Sequence, residues 1–224
     1  MLGFNMFAYC GNNPVNYVDP TGESLLAFLI VTVFVVTCTV ALTGCSIDVP
    51  EIDYAEQNNL HNSQLDSNES TTSRNRTIDN QHGEIWKSFR CGAYPVSRNG
   101  CEVIAVHNAK VLKGLPSTLS GTISSFHANS AIFGDGFFGS NPFAIGTVLD
   151  SEGISYSSVG LSQMNKSGVY IISYWNTDSI FDGVHTIAIQ YDGTTYKAYN
   201  YHWQEGSIDI SQFKGRYICG YYLG

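Results

Sequence analysis

Cys101, His185 and Asn200 are the residues of this 224-residue chain whose types and settings suit nucleophilic chemistry. Ser97 to Gly100 are polar and turn-forming, and the following residues place Val103, Ile104, Val106 and Leu112 at apolar positions before Gly114 and Pro116 close the segment. This predicts one helix within 97–114 with Cys101 at its start, in the first turn. Backbone N–H groups are unpaired there and the helix dipole is positive, so a thiolate is favoured. A thiol nucleophile also needs a base. The run from Val184 to Asn200 contains Asp192-Gly193, a signal for a two-residue hairpin turn, and that register sets His185 directly opposite Asn200. Opposed residues have Cβ atoms ~5 Å apart, within reach of a hydrogen bond from an imidazole to an amide. Ile187, Ile189 and Ala198 share that face, which is therefore the buried one. In the functional reading Asn200 orients the His185 ring while its other nitrogen takes the proton of Cys101. In the structural reading His185 is a buried histidine satisfied by a neighbouring amide.

Other histidines rank lower as bases. His107 lies six residues along the Cys101 helix, so it points ~120° away from the sulfur and reads as a surface or packing residue. His202 shares the face of Asn200 and could replace His185 if the turn register slips. His127 sits beside a loop. Tyr174, Trp175, Tyr199, Tyr201 and Trp203 read as core and cleft walls.

The elements that must position these groups follow in order. Ser117 can cap a second helix carrying Leu119, Ile123 and Phe126, and Asn141 with Pro142 starts a third that ends near Gly153. Strand signals then dominate over 154–159, 169–175, 184–191, 194–201 and 217–223. Helices first and strands afterwards predict an α+β domain with an antiparallel sheet.

The order Cys at a helix start, His at a strand start, then Asn one strand later resembles papain-like cysteine peptidases. The runs Asn99-Gly100-Cys101-Glu102-Val103-Ile104-Ala105 and Val184-His185-Thr186-Ile187-Ala188-Ile189 are similar to the compact bacterial branch related to peptidases that trim bacteriocin leaders, over roughly residues 83–224. The resemblance implies a papain-like fold, with an N-terminal helical part carrying Cys101 packed on a C-terminal antiparallel sheet. It also implies Cys101 as nucleophile, His185 as general base and then acid, Asn200 as orienting group, and no cofactor. Two positions depart from the branch. Pro95 stands where it usually has a glutamine as oxyanion donor, and Glu102 follows the cysteine where it often has glycine. Asn99, with the Cys101 backbone N–H, is the candidate replacement donor.

Charge is unevenly spread. Residues 1–45 hold only Asp19 and Glu23 as charged groups, 46–82 hold seven acids against Arg74 and Arg76, and 83–224 hold ten acids against nine bases. The net charge of −8 therefore comes mainly from the middle stretch, and no basic stripe offers a footprint for nucleic acid. Cysteines 10, 38, 45, 91, 101 and 219 follow no metal-ligand spacing, so no metal site is expected. Cys91 and Cys219 are a possible bridge if the chain is exported.

Ahead of the globular part, Tyr9, Asn13, Pro14 and the Asp19-Pro20-Thr21-Gly22 signature resemble the closing segment of an RHS-repeat core over residues 1–22. In that family the signature borders a variable C-terminal toxin, often cut off by the shell itself. Leu25 to Leu42 is an 18-residue run without charge, at the lower limit for crossing a bilayer, so 23–45 is expected to be a membrane segment. Leu42-Thr43-Gly44-Cys45 also resembles a lipobox that would acylate Cys45, although no Lys or Arg precedes Arg74. Residues 46–82, rich in Asn, Ser, Asp and Glu, are expected to form a disordered linker. The combined expectation is a secreted or delivered, membrane-associated RHS toxin whose thiol peptidase domain, 83–224, cuts a peptide or isopeptide bond in a protein substrate and is held in check by a cognate immunity protein. A papain-like deamidase or acyltransferase and an inactive membrane-tethered binding module are the alternatives.

Overall fold

The computed structural model describes residues 54–68, 75–136, 139–175, 183–201, 208–209 and 216–224. The RHS-like segment 1–22, the apolar run 25–42, Cys45, His202 and Trp203 lie outside the described residues. Among the described residues no helix is long and apolar enough to cross a membrane.

The result is a mixed fold of helices and an antiparallel sheet. Helix α1 is Tyr54–Asn68, a short antiparallel pair is formed by β1 (Arg90–Cys91) and β2 (Tyr94–Pro95), and a single turn α2 (Val96–Asn99) leads into α3 (Cys101–Leu112). Helices α4 (Leu119–Ala128) and α5 (Ile145–Ser151) follow. The six-stranded sheet is built from β3 (Ser157–Ser158), β4 (Gly168–Trp175), β5 (Val184–Tyr191), β6 (Tyr196–Tyr199), β7 (Ile208–Asp209) and β8 (Arg216–Leu223), in the order β3-β8-β4-β5-β6-β7.

Strand alternation divides the core in two. Val169 and Ile171 of β4 and Tyr221 and Leu223 of β8 pack with Val103, Ile104 and Val106 of α3, Ile123 and Phe126 of α4, and Val148 and Leu149 of α5. The intervening residues, Tyr170, Ile172 and Tyr174 with Ile187 and Ile189 of β5, face the other way and pack with Val159, Met164, Ala198 and Tyr201. Six consecutive residues of β4, Val169 to Tyr174, are buried, as expected of a central strand covered on both faces.

The hairpin register differs from the expected one. Ala188 pairs with Tyr199, Ile189 with Ala198 and Tyr191 with Tyr196, a shift of two residues. The cause lies at the corner: the Asp192 carboxylate accepts from the backbone N–H groups of Thr194 and Thr195, both at 2.8 Å, so Asp192 opens the turn and Gly193-Thr194 form its corner. Gly193 takes the positive φ of 100° that such a corner needs. A shift of two keeps every side chain on its expected face, yet moves Asn200 out of direct opposition to His185.

Within the stretch expected to be a disordered linker, residues 54–68 and 75–82 have defined structure. Helix α1 docks by side-chain amides instead of an apolar stripe: Asn62 donates to Arg90 O and accepts from Arg90 N, both at 2.9 Å, and Asn58 donates to Gly92 O at 2.8 Å. Residues 75–83 run as an arm along α3. Buried Asn108 holds both backbone groups of Ile78, at 2.7 and 2.8 Å. Buried His107 bonds Ser117 Oγ at 2.8 Å and the Arg76 carbonyl at 2.9 Å, which makes it a packing residue. Because Ser117 is used there, Thr118 caps α4 by accepting from Gly121 N.

Candidate functional site

Gly100 is the joint between α2 and α3, and the close approach explains the residue: a Cβ there would lie 2.7 Å from Val96 Cγ1 and 2.9 Å from Val96 O. The joint places Cys101 at the first residue of α3, as the sequence predicts, with the side chain 8% exposed. Its Sγ donates to Glu102 Oε2 at 3.2 Å and lies 3.8 Å from the carbonyl of Val184, the first residue of β5. The nucleophile candidate therefore reaches the strand end that carries His185.

The electrostatics at the sulfur run against the expected thiolate. Burial, and then the neighbouring Glu102 carboxylate, push the Cys101 thiol well above its ordinary value. The cost of desolvating a thiolate and the proximity of a second negative charge outweigh the helix terminus. Glu102 itself is only 3% exposed, and burial pushes its carboxyl up to about 7. Its other oxygen, Oε1, accepts from Thr186 Oγ1 at 3.3 Å, and Thr186 Oγ1 is 2.9 Å from Ser173 Oγ on β4. A buried polar chain from Cys101 through Glu102 and Thr186 to Ser173 thus crosses from α3 to the sheet.

His185 precedes Thr186 and belongs by alternation to the opposite face of β5, with its ring edge-on to Tyr174 at 5.7 Å between centroids. Its Nε2 is 2.7 Å from the backbone carbonyl of Asn200. A carbonyl only accepts, so Nε2 carries a proton and the ring is the Nε2–H tautomer when neutral. The contact comes from the Asn200 backbone, where the sequence predicts the amide. Asn200, fully buried with φ 61°, turns its side chain the other way: Oδ1 accepts from Gln81 N and Nδ2 donates to Gln81 Oε1, both at 2.9 Å. Gln81 Nε2 in turn donates to Ser97 O in α2 at 3.1 Å.

Asn99 is not arranged as an oxyanion donor. Its amide nitrogen donates to Gly136 O and lies 3.5 Å from Cys91 O, leaving Oδ1 buried and unpartnered. Both N–H groups are occupied in tying the glycine loop to β1. Tyr174 and Tyr201 are buried core residues, 6.3 Å apart between ring centroids, and not cleft walls. Cys91 and Cys219 are free thiols. Among the described residues no group of three or more His, Cys, Asp or Glu is placed to hold a metal ion.

No family model, curated protein or solved structure matches the chain. A recess of about 520 Å³ lined by Lys110, Ser117, Thr118 and Glu152 opens towards the C-terminal end of α3, where Lys110 pairs with Glu152 at 2.5 Å. It does not include Cys101 or His185.

Sequence reasoning singled out Cys101, His185 and Asn200 as candidates but not Gln81, and it treated Glu102 only as a departure from a family pattern. Gln81 stands in the polar run Asp79-Asn80-Gln81-His82, where no periodicity marks one residue from the next. Glu102 carried a signal: a charged residue directly after the first helical position, on a helix whose neighbours are apolar, must be buried or must break the pattern.

Proposed function

We propose that residues 83–224 form a papain-like thiol peptidase in which Cys101 attacks a peptide or isopeptide carbonyl and His185 moves the proton. The observation that carries this reading is that the thiol reaches the first residue of β5, next to a histidine whose Nε2–H is fixed by the Asn200 carbonyl. With Nε2 as the protonated nitrogen, Nδ1 is the basic nitrogen of the neutral ring. Catalysis on this reading requires the sulfur to leave Glu102 and turn towards the imidazole when substrate enters, in keeping with the loose nucleophile–base geometry of many substrate-free enzymes. Attack forms a thioester and releases the amine with the proton taken from sulfur. Water then hydrolyses the thioester, with His185 again acting as base. The Cys101 backbone N–H at the helix start is the oxyanion donor that remains once Asn99 is committed elsewhere.

The Asp19-Pro20-Thr21-Gly22 signature supports placing this domain at the C-terminus of an RHS polymorphic toxin, delivered to a rival cell and restrained by an immunity protein. The uncharged run Leu25 to Leu42 supports membrane contact on the way. The same acyl-enzyme chemistry serves a deamidase if the amide attacked is a side-chain carboxamide, with ammonia leaving and water accepting the acyl group, or an acyltransferase if another nucleophile accepts it. A non-catalytic binding module is favoured by a different observation, the hydrogen bond that Cys101 Sγ donates to Glu102, which keeps the thiol protonated.

Expression of the full chain and of Cys101→Ala in a susceptible bacterium, followed by mass spectrometry of total protein, tests these readings. New protein termini that depend on Cys101 support the peptidase. A +1 Da change on side chains supports the deamidase. Equal toxicity of both forms with no Cys101-dependent modification refutes catalysis.

A further inference from the structure

Asn62, Asn108 and Asn200 are completely buried and hold neighbouring segments, and Asn200 differs from the other two. Asn62 and Asn108 each bind the N–H and the C=O of a single residue, Arg90 and Ile78 respectively, an arrangement that fixes backbone and asks nothing of the partner's side chain. Asn200 takes the N–H of Gln81 in the same way, but its amide nitrogen turns to the Gln81 side chain. Gln81 Nε2 then donates to Ser97 O, four residues ahead of Cys101. A residue needed only to anchor the arm could have any side chain here. The glutamine links the turn before the nucleophile to the residue whose carbonyl holds His185.

We propose that Gln81 is a positioning residue for His185: through its paired amide bonds with Asn200 it aims the Asn200 carbonyl at His185 Nε2 and so selects the Nε2–H tautomer. This rests on the peptidase reading for its use, not for its geometry. Asn200 sits at a left-handed φ of 61°, which a non-glycine residue holds only when its surroundings fix it. Both polar atoms of its side chain are fixed by Gln81, so the clasp determines which way the following peptide unit faces. Without it, the carbonyl can swing away from the ring and both neutral tautomers become accessible.

Long-range proton–nitrogen spectra of the His185 ring, recorded on the full chain at a pH where the ring is neutral, test this directly. The wild type is expected to show the Nε2–H tautomer, and folded Gln81→Met a mixture of the two tautomers. Gln81→Glu keeps an oxygen that accepts from Asn200 Nδ2 and is expected to retain the wild-type tautomer. Where Gln81→Met is not recovered folded, Gln81→Asn, shorter by one methylene, is read in the same way. An Nδ1–H tautomer in the wild type, or an unchanged Nε2–H tautomer in a folded Gln81→Met or Gln81→Asn, overturns the proposal. These spectra do not depend on turnover, so an inactive Cys101 would leave a positive result standing, and an unchanged tautomer would leave the peptidase reading intact.

Discussion

The thiol of Cys101 and the carboxylate of Glu102 share a hydrogen bond of 3.2 Å in a setting where both side chains are buried. Burial raises both groups, and the Glu102 carboxylate raises the thiol further while the thiol's hydrogen bond partly offsets the rise of Glu102, so the pair favours a protonated sulfur at neutral pH. Replacing Glu102 by Gln removes the neighbouring charge while keeping the shape and an oxygen for Thr186. The expected outcome is severalfold faster alkylation of Cys101 near pH 8, because loss of the neighbouring charge lowers the thiol and raises its thiolate fraction. Peptide-mapped labelling rates check this, with Cys91 as internal control because burial holds its thiol up at about 12.

Glu102 also predicts how stability follows pH. A carboxyl raised from 4.5 to about 7 binds its proton more tightly in the folded protein. Its contribution is therefore complete below about pH 4.5 and is lost as pH rises through about 7, a loss of about 3 kcal/mol across that window. Denaturant melts between pH 5 and 8 are expected to show stability falling with pH in the wild type and a flatter profile in Glu102→Gln.

Asn108 tests the ordered arm. Asn108→Ala leaves the Ile78 N–H and C=O buried without partners, an expected loss of about 2 to 4 kcal/mol by denaturant unfolding. A loss under about 0.5 kcal/mol would mean that the arm does not depend on this clasp.

Gly136 tests the loop that engages Asn99. Its φ is 84° and an added Cβ would lie 2.3 Å from Cys91 O, a backbone atom that cannot turn aside. Gly136→Ala is expected to cost at least about 2 kcal/mol in the same melts.

The sequence made the frame legible where periodicity was strong. The helix starting at Cys101, the α+β class and the long strands β4, β5 and β8 all rest on apolar residues at fixed spacing, and they stand as expected. The hairpin register failed by two because Asp192-Gly193 has two turn readings, and the choice was made by hydrogen bonds from Thr194 and Thr195 that no dipeptide rule contains. Helix α1 and the arm were illegible for another reason. They are held by Asn58, Asn62 and Asn108 through backbone bonds, so the residues that look like a solvated linker are the ones that dock. At the site, Cys101 and His185 were visible as types, whereas Gln81 has meaning only through Asn200, which lies 119 residues away in the chain.

The central claim is that His185 activates Cys101. The most direct measurement is the second-order rate of Cys101 modification by a substrate-like peptide electrophile at pH 7, in the wild type and in folded His185→Ala. Modification of Cys101 is expected to slow by about a hundredfold in the variant, the scale of a lost general base. Equal rates in the two proteins would contradict it.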